Sequence, residues 1–229
     1  MKKFLTTCIF ALTIGSWFSG CTTIPATGRS ALILVPESIL IEQSNSLFRK
    51  MRRKNRVSTN SKHNAMVRRV GDKIAEVVRE DMPGTSWEFI VFKDSTQVNA
   101  FAMPGGKVGI FTGIFDLVEE DADLATVISH EIAHVVARHG NQRVSQQLLL
   151  GAGGIALGLA LDDEDHQTRN AVLAAYGIGT TVGLSLPYSR GHELEADKLG
   201  LIYMARAGYD PRRALAFWEN MIQNQRAGI

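Results

Sequence analysis

Apolar residues at Val67, Val70, Ile74 and Val77 recur at helical spacing and predict an amphipathic helix over about Ser61 to Arg79. Ser38 to Val57 precedes it as a second helical stretch with a basic end, Arg49 to Arg56, which reads as a solvated face. Met82-Pro83-Gly84 is a break. Trp87 to Phe92 is rich in aromatic and β-branched residues and reads as a strand. Val98 to Met103 and Lys107 to Phe111 flank Pro104-Gly105-Gly106, the pattern of a β-hairpin with a three-residue connection. Ile114 to Val118 starts a helix. A longer one begins near Asp121 and Asp123 and keeps helical spacing through Leu124, Val127, Ile128, Val135 and Val136 to about His139. Leu148 to Leu161 and Ala171 to Pro187 are apolar, Gly-rich and divided by Asp162-Asp163-Glu164-Asp165-His166. Each is short for a membrane span, so the pair predicts a helical hairpin on the domain. His192 to Ala207 is helical and stops at Gly208; Asp210-Pro211 opens a last helix to about Arg226. The pattern as a whole is α+β and mostly helical.

The N-terminus follows a different logic. Lys2 and Lys3 precede an uncharged, mostly apolar run from Phe4 to Phe18, and Ser19-Gly20-Cys21 follows. This is the layout of a secretory leader. The Cys after small residues resembles a bacterial lipobox, which implies cleavage before Cys21 and acylation there. With Thr22 next and no Asp, the resemblance to lipoprotein sorting implies the outer membrane, facing the periplasm. Several acyl chains on one residue hold a protein stably where one would not. Residues 1–20 are thus expected to be a signal peptide, residues 21–37 a lipid-proximal tether containing Pro25, Gly28 and Pro36, and residues 38–229 one domain.

Composition narrows the function. At 45% hydrophobic and 21% charged residues the chain has enough apolar content for a packed core, which excludes disorder for most of its length. Removal of the leader leaves basic and acidic residues balanced at 23 each, which argues against electrostatic nucleic-acid binding. The two cysteines are Cys8, in the leader, and Cys21. The mature domain therefore offers no thiol, and any metal must be held by His and carboxylate.

The chemistry concentrates in His130-Glu131-Ile132-Ala133-His134. Two His four residues apart on a helix share one face and can reach one zinc ion, with Glu131 beside them as a base for water at the metal. Val127, Ile128, Ile132, Val135 and Val136 surround the motif, so unpaired polar groups there would be costly to bury. A catalytic zinc site needs a third protein ligand. An extended His pattern would require Gly at 137 and His at 140; the sequence has Ala137 and Gly140. His139 is out of step and is expected to cap the helix C-terminus. Two acidic groups remain, Asp162 to Asp165 in a polar loop and His192-Glu193-Leu194-Glu195-Ala196-Asp197 on a helix. Rigid placement favours the second. Glu193 and Asp197 share a face there, Glu193 as ligand and Asp197 as acceptor of a hydrogen bond from a liganding His, while Glu195 points elsewhere.

His130-Glu131-x-x-His134 followed by Ser189-Arg190-x-x-Glu193-x-Glu195-Ala196-Asp197 resembles the HtpX-like and CAAX-prenyl-endopeptidase family of gluzincin metalloproteases, in particular its soluble bacterial lipoprotein branch. The similarity runs from about Ser61 to Tyr209. It implies a gluzincin domain with a small β-sheet edge above the metal-binding helix, one Zn²⁺ held by His130, His134 and Glu193, Glu131 as general base, and His130 as the partner of Asp197. Val98-Asn99-Ala100-Phe101-Ala102-Met103-Pro104-Gly105-Gly106 also matches; in the family it leads into the strand that holds substrate, with Asn99 as the matching polar residue. The family's His-Pro and Arg after the last helix are not found through Ile229, which weighs against full activity and not against zinc binding.

Together these residues imply a zinc endopeptidase acting on extended or misassembled envelope proteins, held at the membrane by acylated Cys21. The rival reading is a periplasmic chaperone or assembly lipoprotein whose zinc domain binds clients and cleaves little.

Overall fold

The computed structural model describes residues 20–226. The expected leader lies outside them apart from Gly20. A hairpin of β1 (Cys21–Thr23) and β2 (Ser30–Leu32) comes first, then helices α1 (Glu37–Lys54) and α2 (Ser61–Val78). Asn60 caps α2, its Oδ1 accepting from the N–H groups of Lys62 and His63. Strands β3 (Glu88–Phe92), β4 (Ala100–Met103) and β5 (Lys107–Phe111) form one sheet in the order β3–β5–β4. β3 is parallel to β5 and β4 antiparallel to it, and the order leaves β3 and β4 as the two edges. The β4–β5 turn uses Gly105 and Gly106 at φ of 84° and 79°, a region that residues with a Cβ rarely adopt.

Helix α3 (Asp121–Val136) is the centre of the molecule. Asp123 closes a capping box with Glu120 at its start and is clamped by Arg213 at 2.9 Å. Leu124, Ala125, Val127, Ile128, Ile132, Ala133 and Val136 are buried around it, so it is apolar on nearly every side, as a helix enclosed by others must be. The apolar face of α2 (Val67, Val70, Ile74, Val78) and the sheet residues Val91, Val108 and Ile110 join the same core. On the other sheet face Ile90, Phe92 and Phe111 pack with Phe48 of α1.

Helices α4 (His139–Ala160), α5 (His166–Thr180), α6 (Leu186–Arg206) and α7 (Arg213–Arg226) complete the fold. α4 and α5 form the expected helical hairpin, tied by the Tyr176 hydroxyl donating to the Leu150 carbonyl. Its arms leave Leu148, Ile155, Leu159 and Ile178 exposed.

Four expectations change. The helix start at Ile114 is a short 3₁₀ turn, Thr112–Asp116. The second apolar segment does not end before the ligand helix: it runs from His166 to Arg206 through a π-helical turn, Thr181–Ser185. That widened turn ends two residues before Pro187, which has no N–H for the helix ladder. α3 stops at Val136, because Arg138 adopts a left-handed conformation (φ 56°) and the chain restarts as α4. His139 is therefore the first residue of α4 and not a cap of α3. Finally, the stretch expected to be a tether folds onto the domain: Ile24 and Ala31 are buried, the Leu34 N–H donates to Ser145 Oγ, and Asn141 Nδ2 donates to the Val35 carbonyl. Burial of two apolar side chains and these hydrogen bonds contribute against the cost of ordering the segment.

Candidate metal centre

One turn of α3 separates His130 from His134, and their Nε2 atoms lie 3.1 Å apart. α6 crosses beside them and brings Glu193 Oε2 to 3.5 Å from each. Gly200 allows this approach, because a Cβ there would lie 3.2 Å from the His130 backbone nitrogen. Tetrahedral zinc with bonds of about 2.0–2.1 Å sets its ligand atoms about 3.3–3.4 Å apart, so the triangle has the size of one tetrahedral face.

The donor set passes a second test. His130 Nδ1 donates to Asp197 Oδ1 at 2.9 Å, which leaves a lone pair on His130 Nε2. His134 Nδ1 lies 2.9 Å from His139 Nδ1. Burial, followed by the proximity of His130 and His139, holds His134 down to about 3, so it is neutral at ordinary pH. Glu193 contributes a further acceptor. Three acceptors facing one another repel unless a cation lies between them, and the residues present fit a zinc ion.

Glu131 projects from the same turn of α3. Burial raises its carboxyl to about 7, with Glu193 adding to the rise and the Ala102 N–H of β4 donating against it. The β4–β5 ladder runs through the residues that alternate with Ala102: the Phe111 N–H donates to the Asn99 carbonyl, and Phe101 and Met103 continue the register. Ala100 and Ala102 thus turn their main-chain groups to the open edge. Asn99 lies at the mouth of that edge, exposed, with Oδ1 accepting from the Ala100 N–H at 2.9 Å.

Two cavities flank the cluster. One of about 210 Å³ adjoins His130 and is walled by Leu201, Met204, Leu215 and Trp218, whose ring meets His130 edge-on at 5.4 Å. The other, about 60 Å³, adjoins His134 between Ala102, Pro104 and Arg138.

The geometry gathers His130, Glu131, His134, Glu193 and Asp197 at one place. The acidic loop rejected as a ligand source is occupied locally: Asp165 caps α5 and Asp162 pairs with Arg169. Cys21 is exposed on β1. Glu195 is off the ligand face, as helix phase requires, yet it is not idle: it accepts from His139 Nε2 at 2.9 Å and from Arg29 Nη2 at 2.7 Å. His139, Arg29 and Trp218 were not anticipated at the site. The available signal was His139 itself, a third histidine five positions after His134 and out of step with the ligand face.

Residues 61–225 match the family described as Peptidase family M48. Mitochondrial metalloendopeptidase OMA1 of Arabidopsis thaliana is 36% identical over 150 residues, covering 66% of this chain and 29% of the relative. The Saccharomyces cerevisiae protein of the same name is 29% identical over 93% of this chain and 66% of its own length. The beta-barrel assembly-enhancing protease of Escherichia coli is 26% identical over 98% of this chain and 47% of its own. The chain thus spans less than two thirds of the length of these relatives. The family match extends from the first residue of α2 to near the end of α7 and takes in His130, Glu131, His134, Glu193 and Asp197, and on that basis this chain belongs to peptidase family M48.

Proposed function

We propose that this chain is a zinc-dependent endopeptidase of the bacterial envelope that hydrolyses extended or misassembled proteins. The observation that carries the reading is the convergence of three acceptors, His130 Nε2, His134 Nε2 and Glu193 Oε2, beside a half-buried carboxyl held against an open strand edge. Those three atoms would hold one Zn²⁺ per chain. Zinc in such a site polarises the scissile carbonyl and acidifies water. Glu131 takes a proton from the attacking water and returns it to the leaving amine, and a carboxyl tuned close to neutral pH suits both transfers. A substrate segment pairs with the outward carbonyls of Ala100 and Ala102, and its own groups compete for the Ala100 N–H now held by Asn99 Oδ1, a mode that asks for extended chain and little sequence. Asn99 lies beside the first of these pairs. The cavities against His130 and His134 receive side chains on either side of the scissile bond.

Acylated Cys21 anchors the domain in the outer membrane, facing the periplasm; the leader layout and the position of Cys21 at the exposed start of β1 support this. The name of the Escherichia coli relative is consistent with envelope-protein clients. The exposed apolar arms of α4 and α5 favour a second reading, client holding with little cleavage. Turnover of casein by the zinc-loaded protein and by Glu131→Gln separates the two. Endopeptidase action requires that the variant keep one zinc per chain and lose about 10²–10⁴ in rate. Equal, negligible turnover by both proteins would leave the holding role. Mass spectrometry of the mature N-terminus tests the anchor, and a free amine on Cys21 would refute it.

A further inference from the structure

The two candidate histidine ligands are held in different ways. His130 donates directly to a carboxylate, Asp197. His134 meets another imidazole, His139, which is 1% exposed. The left-handed Arg138 makes that meeting possible, because it reverses the chain between α3 and α4 and folds the His139 ring back on His134. His139 is fixed on its far side by Glu195 and on its face by the parallel ring of His192, 4.0 Å away. Glu195 is held from the N-terminal hairpin: Arg29 reaches it through Nε at 3.0 Å and Nη2 at 2.7 Å, and Thr27 adds a hydroxyl. Arg29 Nη1 donates to Gln142 Oε1, and Gln142 donates in turn to the Ala137 carbonyl beside the chain reversal.

Hydrogen-bond accounting gives this chain a direction. Glu195, paired with Arg29, can only accept, so His139 carries its proton on Nε2. A neutral His139 then presents a lone pair on Nδ1, and His134 must donate from its own Nδ1. The lone pair of His134 is thereby fixed on Nε2, the atom that faces Glu193 and His130. A reversed chain would place the His134 proton on Nε2 and remove one ligand.

We propose that Arg29, Glu195 and His139 are positioning residues, a relay that selects the metal-binding tautomer of His134, so that tight metal binding requires the N-terminal hairpin to be seated on α6. The proposal rests on His130, His134 and Glu193 being the ligands. It gives the segment next to Cys21 a task in the metal site besides connection.

The test is zinc affinity by chelator competition, the visible spectrum of the Co²⁺-substituted protein, and thermal melting of the metal-free protein, measured on the mature chain and four variants. His139→Leu removes both relay bonds and is expected to lower zinc affinity about 10–100-fold with altered Co²⁺ bands. His139→Gln can accept through its amide oxygen and donate through its amide nitrogen, and is expected to stay within a few-fold of the unmodified chain. Arg29→Met, at a partly exposed position, should melt within a few degrees of the parent when metal-free and still lose about tenfold in zinc affinity. His134→Ala should lose the metal. Unchanged affinity and Co²⁺ spectrum in His139→Leu and Arg29→Met, with metal lost in His134→Ala, would overturn the relay and leave the ligand assignment standing. Equal loss in His139→Gln and His139→Leu would also overturn it, by showing that packing and not hydrogen-bond direction is at work. Full metal retention in His134→Ala would instead overturn the ligand assignment.

Discussion

The His130 and His134 sides of the metal centre solve one problem by different means. His130 is oriented by Asp197, which sits one helical turn beyond Glu193, so a single helix supplies both a ligand and the support of its neighbour. His134 Nδ1 meets the His139 ring in place of a carboxylate; its support passes through His139 and Glu195 to Arg29, more than a hundred residues away in sequence. The first arrangement is short and local to α6. The second depends on a left-handed residue, a second helix and an N-terminal hairpin all being in place. A site built this way binds metal strongly only when distant parts of the fold agree.

The largest test of the comparison is deletion of a ligand on either side. His130→Ala and His134→Ala should both abolish stoichiometric zinc, measured by metal analysis after dialysis; retention in either would mean that the triangle is not the site. Next are the supports. Asp197→Ala should lower zinc affinity about 10–100-fold. Glu195→Ala should do the same through the other side, and because the two share no partner their effects should multiply in the double variant. A double variant no worse than either single one would mean that both act on the same ligand.

A smaller effect concerns Glu131, between the two sides. In the metal-free protein its carboxyl is raised by burial to about 7, against an ordinary value near 4.5. Its protonated form therefore favours the fold fully below pH 4.5, and that contribution is lost as pH rises through 7. His134 and His192, both lowered by burial to about 3, act in the opposite sense: their contribution is present above 6.5 and lost as pH falls. Comparing metal-free Glu131→Gln with the parent isolates the first effect. The variant should gain about 2–3 kcal/mol relative to the parent between pH 4.5 and 8 in denaturant unfolding. A gap that does not change with pH would contradict it.

The smallest test treats both sides at once. Gly200→Ala puts a methyl 3.2 Å from the His130 backbone and should push α6 off by a few tenths of an ångström. The expected cost is about 1–3 kcal/mol in stability, with weaker zinc binding through Glu193 and Asp197 together. Unaltered zinc affinity would show that the approach of α6 has slack.

Most elements were legible along the chain, because burial imposes a period. The spacing of Val67, Val70 and Ile74 located α2, and the Pro-Gly-Gly turn located the β4–β5 hairpin. The pairs His130 with His134 and Glu193 with Asp197 were legible for the same reason, since i to i+4 spacing on one helix fixes a shared face; their convergence was implied only by resemblance to the family. What escaped has a common cause. The end of α3 depended on Arg138 taking a conformation that its residue type does not favour. The hairpin of residues 21–32 looked like a tether because its few apolar residues carry no period. Glu195 could be placed off the ligand face by helix phase, but nothing in phase says what waits on the other side.

By itself the sequence determined a mostly helical α+β domain, the shared face of His130 and His134 on one helix, and the shared face of Glu193 and Asp197 on another. Those follow from the geometry of single elements, in which neighbours in space are three or four residues apart. Tertiary structure alone decided that His139 turns back on His134, that Arg29 reaches Glu195, and that Glu131 meets the open edge of β4. Such contacts join residues from separate elements, and their formation is set by how those elements pack and not by any spacing along the chain.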